Sequence, residues 1–166
     1  MDIITFPDFL NETECEEYTE LITTKVSQNF TDSGKFINKK WVDPGLAQLF
    51  FDKIPHNEVY IKPNNLIMSG TYNPGDLFGL HTDTGLYYKP KENLKTRWTL
   101  LIYLNDNFSG GETVFYDNSW KVSKVITPEK GKALLFDIDL WHKGNEVISG
   151  TKHWIGCEII GKFEEI

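Results

Sequence analysis

Cysteine, basic charge and long apolar runs are scarce in this sequence, and each shortage excludes a class of protein. Only two of the 166 residues are cysteine, too few for a disulfide framework, so a reducing compartment is expected. No apolar run approaches the roughly 20 residues of a membrane-spanning helix. The first residues also lack the basic start and apolar stretch of a secretory signal. We therefore expect a cytoplasmic protein with no membrane partner.

The charge balance argues against a nucleic-acid partner. Seventeen basic residues against 24 acidic ones give a formal net charge of -7, whereas binding to a phosphate backbone depends mainly on positive charge. The composition, 40% hydrophobic and 25% charged, is typical of a globular domain. No repeat, low-complexity tract or linker divides the chain, so we predict one domain over residues 1–166. Within it, residues 1–60 are expected to form a helical buttress and residues 61–166 a β-core.

Two segments near the start of the chain carry the signals of helix N-termini. Asn11 followed by Glu14 matches a capping box, and apolar residues recur after it at helical spacing. Asp43 before Pro44 matches an N-cap with proline at the first helical position. These patterns predict one helix after Asn11 and a second, shorter helix after Asp43.

The rest of the chain has the texture of a β-protein. The predicted strands span residues 66–72, 98–104, 112–116, 121–126, 133–136 and 153–160. Glycine- and proline-containing turns separate them, and many short strands with regular turns are typical of a sandwich or barrel. Helices that precede an antiparallel core can cover one of its faces. We predict a mainly β, α+β fold with N-terminal helices and a jelly-roll core.

His81, Asp83 and His142 are the candidate metal ligands. Side chains two residues apart on a strand share a face, so His81 and Asp83 would point the same way. His142 lies near the end of another predicted segment and can supply a third ligand. Two imidazoles and one carboxylate on one face of an octahedral ion leave adjacent positions open, as in non-haem Fe(II) oxygenases. A structural zinc site would be closed, usually by four ligands rich in cysteine.

Lys152 and Tyr72 are candidates for binding a carboxylate near that metal. Lys152 begins the last apolar strand, from which its ammonium can reach inward as a point charge. Tyr72 ends the strand before His81 and can donate a hydroxyl hydrogen bond to the same group. Taken singly, Lys152 is more typical of a solvated strand-end lysine and Tyr72 of a core residue with its hydroxyl at the rim, so the pair gains weight only beside the metal ligands.

Six motifs follow one another over residues 66–161. They are residues 72–75 (Tyr-Asn-Pro-Gly), 81–83 (His-Thr-Asp), 99–105 (Thr-Leu-Leu-Ile-Tyr-Leu-Asn), 110–115 (Gly-Gly-Glu-Thr-Val-Phe), 130–136 (Lys-Gly-Lys-Ala-Leu-Leu-Phe) and the segment from His142 to Lys152. In this order and at these spacings they resemble the prolyl 4-hydroxylase family of Fe(II)/2-oxoglutarate dioxygenases. Each motif alone is weakly specific, and the series is strongly so. Residues 1–60 carry no useful part of the resemblance.

The resemblance implies an oxidoreductase with a double-stranded β-helix core. His81, Asp83 and His142 would bind Fe(II), and Lys152 would pair with the distal carboxylate of 2-oxoglutarate, supported by Tyr72. The cosubstrates would be 2-oxoglutarate and O2, and ascorbate is allowed as an auxiliary reductant. Two further positions, Tyr103 and Thr113, match residues that line the 2-oxoglutarate pocket in the family. Phe78 departs from the pattern, because many members carry tyrosine there.

The resemblance also implies the substrate, a prolyl residue in a peptide or protein that would be hydroxylated. The polar stretch after Asp83 has the composition of a loop that closes over a site. Tyr87 and Tyr88 in this loop, with Trp141, could present aromatic surface to a proline ring. An ordinary surface loop explains the same residues equally well.

Several alternatives stay open at the level of sequence. A hydroxylase of a free amino acid or other small molecule would have the same iron site. A non-catalytic jelly-roll metal-binding protein would lack a ligand or room for the cosubstrate, yet all three ligands and the lysine are present. A nucleic-acid demethylase would suit a more basic surface and an arginine at the position of Lys152. A halogenase would lack Asp83. The sequence does not define the oligomeric state.

Overall fold

The computed structural model describes residues 3–28 and 34–163. Its two helices and one 3-10 turn are α1 (Glu12–Thr23), α2 (Pro44–Lys53) and η1 (Pro90–Glu92). Its strands are β1 (Ile4–Phe6), β2 (Ser27–Gln28), β3 (Gly34–Lys35), β4 (Ile37–Val42), β5 (Lys62–Tyr72), β6 (Leu77–His81), β7 (Tyr88–Lys89), β8 (Leu94–Tyr103), β9 (Ser109–Gly110), β10 (Thr113–Tyr116), β11 (Val122–Ile126), β12 (Ala133–Asp137), β13 (His142–Gly144), β14 (Val147–Ser149) and β15 (Lys152–Lys162).

The strands form two main antiparallel sheets. The larger sheet has the order β1-β12-β8-β15-β5-β4-β2, with β7 paired to β8. The smaller sheet has the order β11-β10-β13-β6-β3, and β14 pairs with β9 separately. Most neighbours in these sheets, such as β12 and β8 or β15 and β5, are distant in sequence, as in a jelly roll, where successive strands alternate between sheets. The predicted fold class is confirmed.

The two helices cover the outer face of the larger sheet. Asn11 and Glu14 form the predicted capping box at α1, and the Asp43 side chain accepts a hydrogen bond from the Leu46 N–H at α2. The buried face of α2 brings Phe50 against Tyr18 of α1, in an edge-on contact at 5.4 Å. Both helices pack on the apolar face of β5, β8 and β15. Complete burial of such a side chain contributes about 1.5–3 kcal/mol to folding.

The opposite face of the larger sheet is turned towards the smaller sheet. There a second apolar cluster fills one end of the space between the sheets: Tyr103, Phe115, Ile126, Leu134 and Phe136. Because both of its faces are covered, the larger sheet has buried residues at consecutive positions, as all five residues of β12 show. The remaining space between the sheets is open.

All six predicted strands are present, several of them longer than expected. Residues 1–60, predicted to form a helical buttress, contain β1 and β4 as well as the two helices. β4 has the sequence Ile-Asn-Lys-Lys-Trp-Val and lies next to the sheet edge, so it lacks the apolar alternation of a central strand. Two strands that carry candidate ligands, β6 and β13, were also missed. None of the described helices has the length and apolar character needed to span a membrane.

Candidate functional site

A cavity of about 440 Å³ lies between the two sheets. The larger sheet supplies one wall through β4, β5, β8 and β15, and the smaller sheet supplies the other through β6, β10 and β13. The cavity is lined by the three candidate metal ligands, His81, Asp83 and His142. Lys152, Tyr72 and Thr113 line it as well. Six of the residues selected from sequence therefore meet in one place.

His81, Asp83 and His142 form a compact cluster at the wall of the smaller sheet. His81 and His142 are direct cross-strand partners on β6 and β13. Asp83 follows β6 and is held in place by a hydrogen bond from its N–H to the Ile138 carbonyl, at 3.0 Å. One ligand atom from each residue lies within 4.8 Å of the other two. Asp83 Oδ1 lies 3.3 Å from His81 Nε2 and 3.4 Å from His142 Nε2.

The hydrogen bonds of the two rings leave their Nε2 atoms facing Asp83. His81 Nδ1 donates to the Gly79 carbonyl at 2.6 Å, and His142 Nδ1 donates to the Leu140 carbonyl at 2.8 Å. A carbonyl oxygen can only accept, so each Nδ1 carries a proton and each neutral ring has a lone pair at Nε2. Two lone pairs and a carboxylate oxygen then converge with no donor among them. Such a donor set fits a cation, and two imidazoles with one carboxylate suit Fe(II).

The other oxygen of Asp83 is fixed by a threonine. Thr99 Oγ1 donates to Asp83 Oδ2 at 2.6 Å, which leaves Oδ1 directed at the two histidines. Burial raises the pKa of Asp83, but the contacts of its two oxygens with the histidine rings and with the Thr99 hydroxyl outweigh burial and hold this pKa well below its usual range. Asp83 is therefore a carboxylate at neutral pH.

Aromatic rings surround the histidines. Phe78 stacks on the His81 ring at 3.7 Å, and Phe136 contacts the His142 ring edge-on at 4.9 Å. Phe36 packs between Phe78 and Tyr72. Phe78, the position where a tyrosine would match the family, thus contributes ring packing and no hydrogen bond. These rings give the two histidines apolar neighbours beside the cavity.

The ammonium group of Lys152 is buried at the end of the cavity where 2-oxoglutarate is predicted to bind. The residue is 2% exposed, and its Nζ donates to the Gly111 carbonyl at 2.8 Å. The same Nζ lies over the Tyr72 ring at 4.8 Å and the Tyr103 ring at 5.6 Å. Burial lowers the pKa of Lys152 to about 8, against an opposing effect of Glu112. Across residues 3–28 and 34–163, no carboxylate forms an ion pair with Lys152, so its position fits an anionic ligand.

The three hydroxyl residues near Lys152 have different positions. Tyr72 lines the cavity and accepts a long hydrogen bond from Trp154 Nε1 at 3.4 Å. Thr113 also lines it, and its hydroxyl is bonded to the Tyr103 hydroxyl at 2.5 Å. Tyr103 is fully buried behind this wall and is not among the lining residues. Tyr103 therefore acts on a cavity ligand through Thr113 and through Lys152, whose Nζ lies over its ring.

The position of Lys152 depends on the backbone conformation of Gly111. Its φ of +72° lies in the left-handed region, and a Cβ would meet Phe108 at 2.9 Å and Lys152 at 3.1 Å. A larger residue would displace the lysine stem or the carbonyl that accepts from it. The Gly-Gly pair of the fourth motif thus positions Lys152.

The aromatic residues predicted to contact substrate lie outside the cavity lining. Tyr87 has its ring beneath the Lys62 ammonium at 5.0 Å, Tyr88 is 66% exposed, and Trp141 packs on Trp120 at 5.1 Å. The loop after Asp83 reaches the cavity instead through Thr84 and Leu86.

Several residues that sequence reasoning missed also line the cavity. They are Asn38 and Lys40 of β4, Met68 of β5, Thr99 of β8, and Trp154 and Glu158 of β15. Strand alternation could have identified half of them. Thr99 shares a face with Tyr103, and Trp154 and Glu158 share one with Lys152.

Comparison with known proteins agrees with this geometry. The sequence pattern of the 2OG-Fe(II) oxygenase superfamily matches residues 67–157, more than half of the chain. Prolyl 4-hydroxylase 1 of Arabidopsis thaliana is 28% identical to this chain over an alignment 188 residues long, which covers 90% of this chain and 65% of the relative. The chain thus spans slightly less than two thirds of that relative.

Solved structures share the fold. The viral collagen prolyl hydroxylase of Paramecium bursaria Chlorella virus-1, in complex with 2OG, has a TM-score of 0.70 at 21% identity, with 96% of each chain covered. A prolyl hydroxylase of Trichoplax adhaerens, in complex with a peptide fragment of hypoxia inducible factor, has a TM-score of 0.68 at 17% identity, covering 96% of this chain and 83% of that one.

Proposed function

Because the chain belongs to the 2OG-Fe(II) oxygenase superfamily, we propose that it is an Fe(II)- and 2-oxoglutarate-dependent dioxygenase that hydroxylates prolyl residues in a peptide or protein. One observation carries the proposal. Three metal-binding atoms converge in the same cavity as a buried ammonium that has no carboxylate partner among the described residues. A bare metal-binding protein would need only the first of these features.

His81, Asp83 and His142 would hold the iron through Nε2, Oδ1 and Nε2. When bound, the iron and 2-oxoglutarate would supply the oxidising chemistry, in which O2 converts 2-oxoglutarate to succinate and carbon dioxide and provides the hydroxyl group on the substrate carbon. The chain itself acts as a scaffold. The Gly79 and Leu140 carbonyls orient the rings, and Thr99 orients the carboxylate. Such outer partners fix ligand orientation and raise ligand basicity.

Lys152 would bind the distal carboxylate of 2-oxoglutarate, with Tyr72 and Thr113 as neighbouring hydroxyls. A carboxylate beside Nζ would restore the charge balance of an ammonium that is otherwise held by one carbonyl and two ring faces. Tyr103 would hold Thr113 in place from behind. The rings of Phe78 and Phe136 would keep water from the reacting centre, which strengthens each charged contact.

The prolyl target is supported by the relatives and by the six linked motifs. The Arabidopsis relative bears the name of a prolyl 4-hydroxylase, and the Trichoplax structure contains a bound peptide. Tyr87, Tyr88 and Trp141 lie too far out to line the cavity, so a contact with substrate there would involve residues that flank the target. That contact stays a prediction.

A turnover assay tests the function directly. Succinate formation from 2-oxoglutarate is measured with proline-rich peptides, free proline and a methylated oligonucleotide, and the products are identified by mass. We expect hydroxyproline in the peptide in step with succinate, and no such coupling in His81→Ala. Coupled turnover with free proline alone would replace the peptide by a small molecule. Coupled oxidation of the oligonucleotide would contradict the proposal.

Thr99 provides a test of how Asp83 is oriented. Thr99→Val keeps the shape of the side chain but removes the hydroxyl that donates to Asp83 Oδ2. We expect the metal affinity to fall about 10- to 100-fold, the usual effect of losing a partner that orients a ligand. Thr99→Ser restores the donor and should return the affinity to nearly that of the wild type. Equal affinities in the valine and serine variants would exclude this role for the hydroxyl.

A further inference from the structure

Glu158 is a buried carboxylate that the site described above does not use. It is 4% exposed and lines the cavity from β15. Alternate side chains of β15 point to opposite faces of the sheet. Ile155, Cys157 and Ile159 pack into the core beneath the helices, whereas Lys152, Trp154 and Glu158 face the cavity. A strand rises about 3.3 Å per residue, so Lys152 and Glu158 begin roughly 20 Å apart, at opposite ends of the space.

Glu158 also lies beside the candidate metal ligands. Its cross-strand partner on β8 is Thr99, the residue that donates to Asp83. Side chains of directly opposed residues have Cβ atoms about 5 Å apart. A substrate that entered opposite the Lys152 end and reached the metal would therefore pass Glu158 close to its reacting carbon.

The hydrogen bonds of Glu158 are all made by one of its two oxygens. Oε2 accepts from the Thr96 hydroxyl at 2.9 Å, the Leu86 N–H at 3.1 Å and the Asn64 amide at 3.2 Å. In the described part of the chain nothing donates to Oε1, and Oε1 is not among the buried atoms that lack a partner. Since the residue is otherwise enclosed, Oε1 is the oxygen that borders the cavity.

The charges around Glu158 favour a cation at Oε1. None of the ion pairs formed by residues 3–28 and 34–163 includes Glu158. Burial raises its pKa and the negative charge of Asp83 adds to this, whereas the three donors lower the pKa. A buried carboxylate without a cation is unfavourable, and a positively charged ligand group would relieve that penalty.

We propose that Glu158 is the substrate-recognition carboxylate of this cavity, and that the substrate carries an ammonium group close to the carbon that is hydroxylated. The inference rests on the proposed function, because it assumes that the metal end of the cavity is where the substrate reacts. The ammonium can be the α-amino group of a free amino acid or the side chain of a lysine beside the target residue. Both sources present the same N–H donors to Oε1.

The test measures binding, so it does not depend on turnover. The protein is loaded with Mn(II) and 2-oxoglutarate without oxygen, and dissociation constants are measured by calorimetry for probe pairs in which acetylation removes the ammonium group. Free L-proline is compared with N-acetyl-L-proline, and L-leucine with N-acetyl-L-leucine. An N-acetylated prolyl-lysine peptide is compared with the same peptide carrying acetyl-lysine. The first two pairs report an α-amino group, and the third reports a lysine side chain.

Glu158→Gln separates recognition from anchoring. Glutamine keeps one oxygen to accept from Thr96, Leu86 and Asn64, but it places an amide N–H₂ where Oε1 stood. We expect the wild type to prefer the ammonium member of at least one pair by about tenfold or more, as for a hydrogen bond to a charged group. In Glu158→Gln this preference should fall to nearly one, with Mn(II) and 2-oxoglutarate affinities unchanged. The exposed Glu92→Gln is the matched control and should keep the preference.

Two results would overturn the inference. One is a wild type that discriminates within no pair, and the other is a Glu158→Gln variant that keeps the wild-type preference. Loss of Mn(II) or 2-oxoglutarate affinity in the same variant would also count against it, because that would show a role in maintaining the fold. The two claims can be separated by the leucine probes. If these bind as well as the proline probes and Glu158→Gln still loses the ammonium preference, the proposed prolyl specificity is wrong and the role of Glu158 is supported.

Discussion

Replacement of Asp83 by alanine is expected to abolish metal binding and turnover together. In the wild type, Oδ1 of this residue lies 3.3 and 3.4 Å from the two histidine Nε2 atoms. Removing it leaves two neutral rings and no negative charge to balance a divalent cation. Breaking a buried charge pair costs about 3–5 kcal/mol, so the metal affinity should fall by roughly 150- to 4,000-fold.

Titration with Co(II) or Mn(II) in the absence of oxygen measures this loss, and succinate formation measures its consequence. Asp52, on the surface of α2, accepts a hydrogen bond from Gln48 and lies outside the cavity lining. Asp52→Ala is therefore the matched control and should bind metal and turn over normally. Circular dichroism establishes that both variants fold. An Asp83→Ala variant that is folded and binds metal as tightly as the control would remove Asp83 from the ligand set.

The fold class could be predicted because turn residues and caps are local signals. Asn11 with Glu14, and Asp43 before Pro44, mark the starts of α1 and α2 by hydrogen bonds within four residues, so sequence alone identifies them. The central strands β5, β8 and β15 were also recognisable from sequence. Their side chains beneath the helices pack in the core and are therefore apolar, which is the signal of a buried strand.

Strands that depend on tertiary pairing could not be predicted. β13 has three residues, His-Lys-Gly, and exists because it pairs with β6 and β10. β4 is polar because its face towards the cavity carries Asn38 and Lys40. In both strands the residues are those that the cavity requires, and their low propensity for strand structure gives no signal in the sequence.

The metal ligands and Lys152 could be predicted because their chemistry is specific at fixed spacing. Thr99 could not be assigned a role in the same way. A threonine on an apolar strand has no signal of its own until Asp83 is seen 2.6 Å away. The same is true of Glu158, whose importance comes from burial, from the donors on Oε2 and from the cavity beside Oε1. Sequence also selected three aromatic residues that do not line the cavity, Tyr87, Tyr88 and Trp141. Aromatic character alone does not show which side of a loop faces a cavity.

Neutralising Lys152 is expected to weaken 2-oxoglutarate binding more than any other change outside the metal ligands. Lys152→Met keeps the length of the side chain and removes the ammonium that lies between the Gly111 carbonyl and the Tyr72 ring. A carboxylate would then be buried without its cation. Losing one partner of a buried charge pair in a binding site costs about 2–5 kcal/mol, or roughly 30- to 4,000-fold in affinity.

The wild type should show the same dependence as a function of pH. Burial lowers the pKa of Lys152 to about 8, and a lysine is charged below its pKa. The affinity for 2-oxoglutarate should therefore be nearly constant from pH 7 towards 8 and then fall by up to tenfold per pH unit above it. Lys152→Met should bind weakly at every pH in this range. Lys152→Arg keeps its charge throughout, so its residual binding should not change with pH.

Metal and cosubstrate binding can then be separated within one cavity. Lys152→Met should retain wild-type metal affinity when 2-oxoglutarate is absent, because Lys152 takes no part in the contacts among His81, Asp83 and His142. Asp83→Ala should lose both, since a cosubstrate that chelates the metal cannot bind fully without it. The exposed Lys124→Met controls for a general loss of positive charge. Wild-type affinity that stays constant up to pH 9.5, or a Lys152→Met variant with unchanged 2-oxoglutarate affinity, would place the cosubstrate carboxylate elsewhere in the cavity.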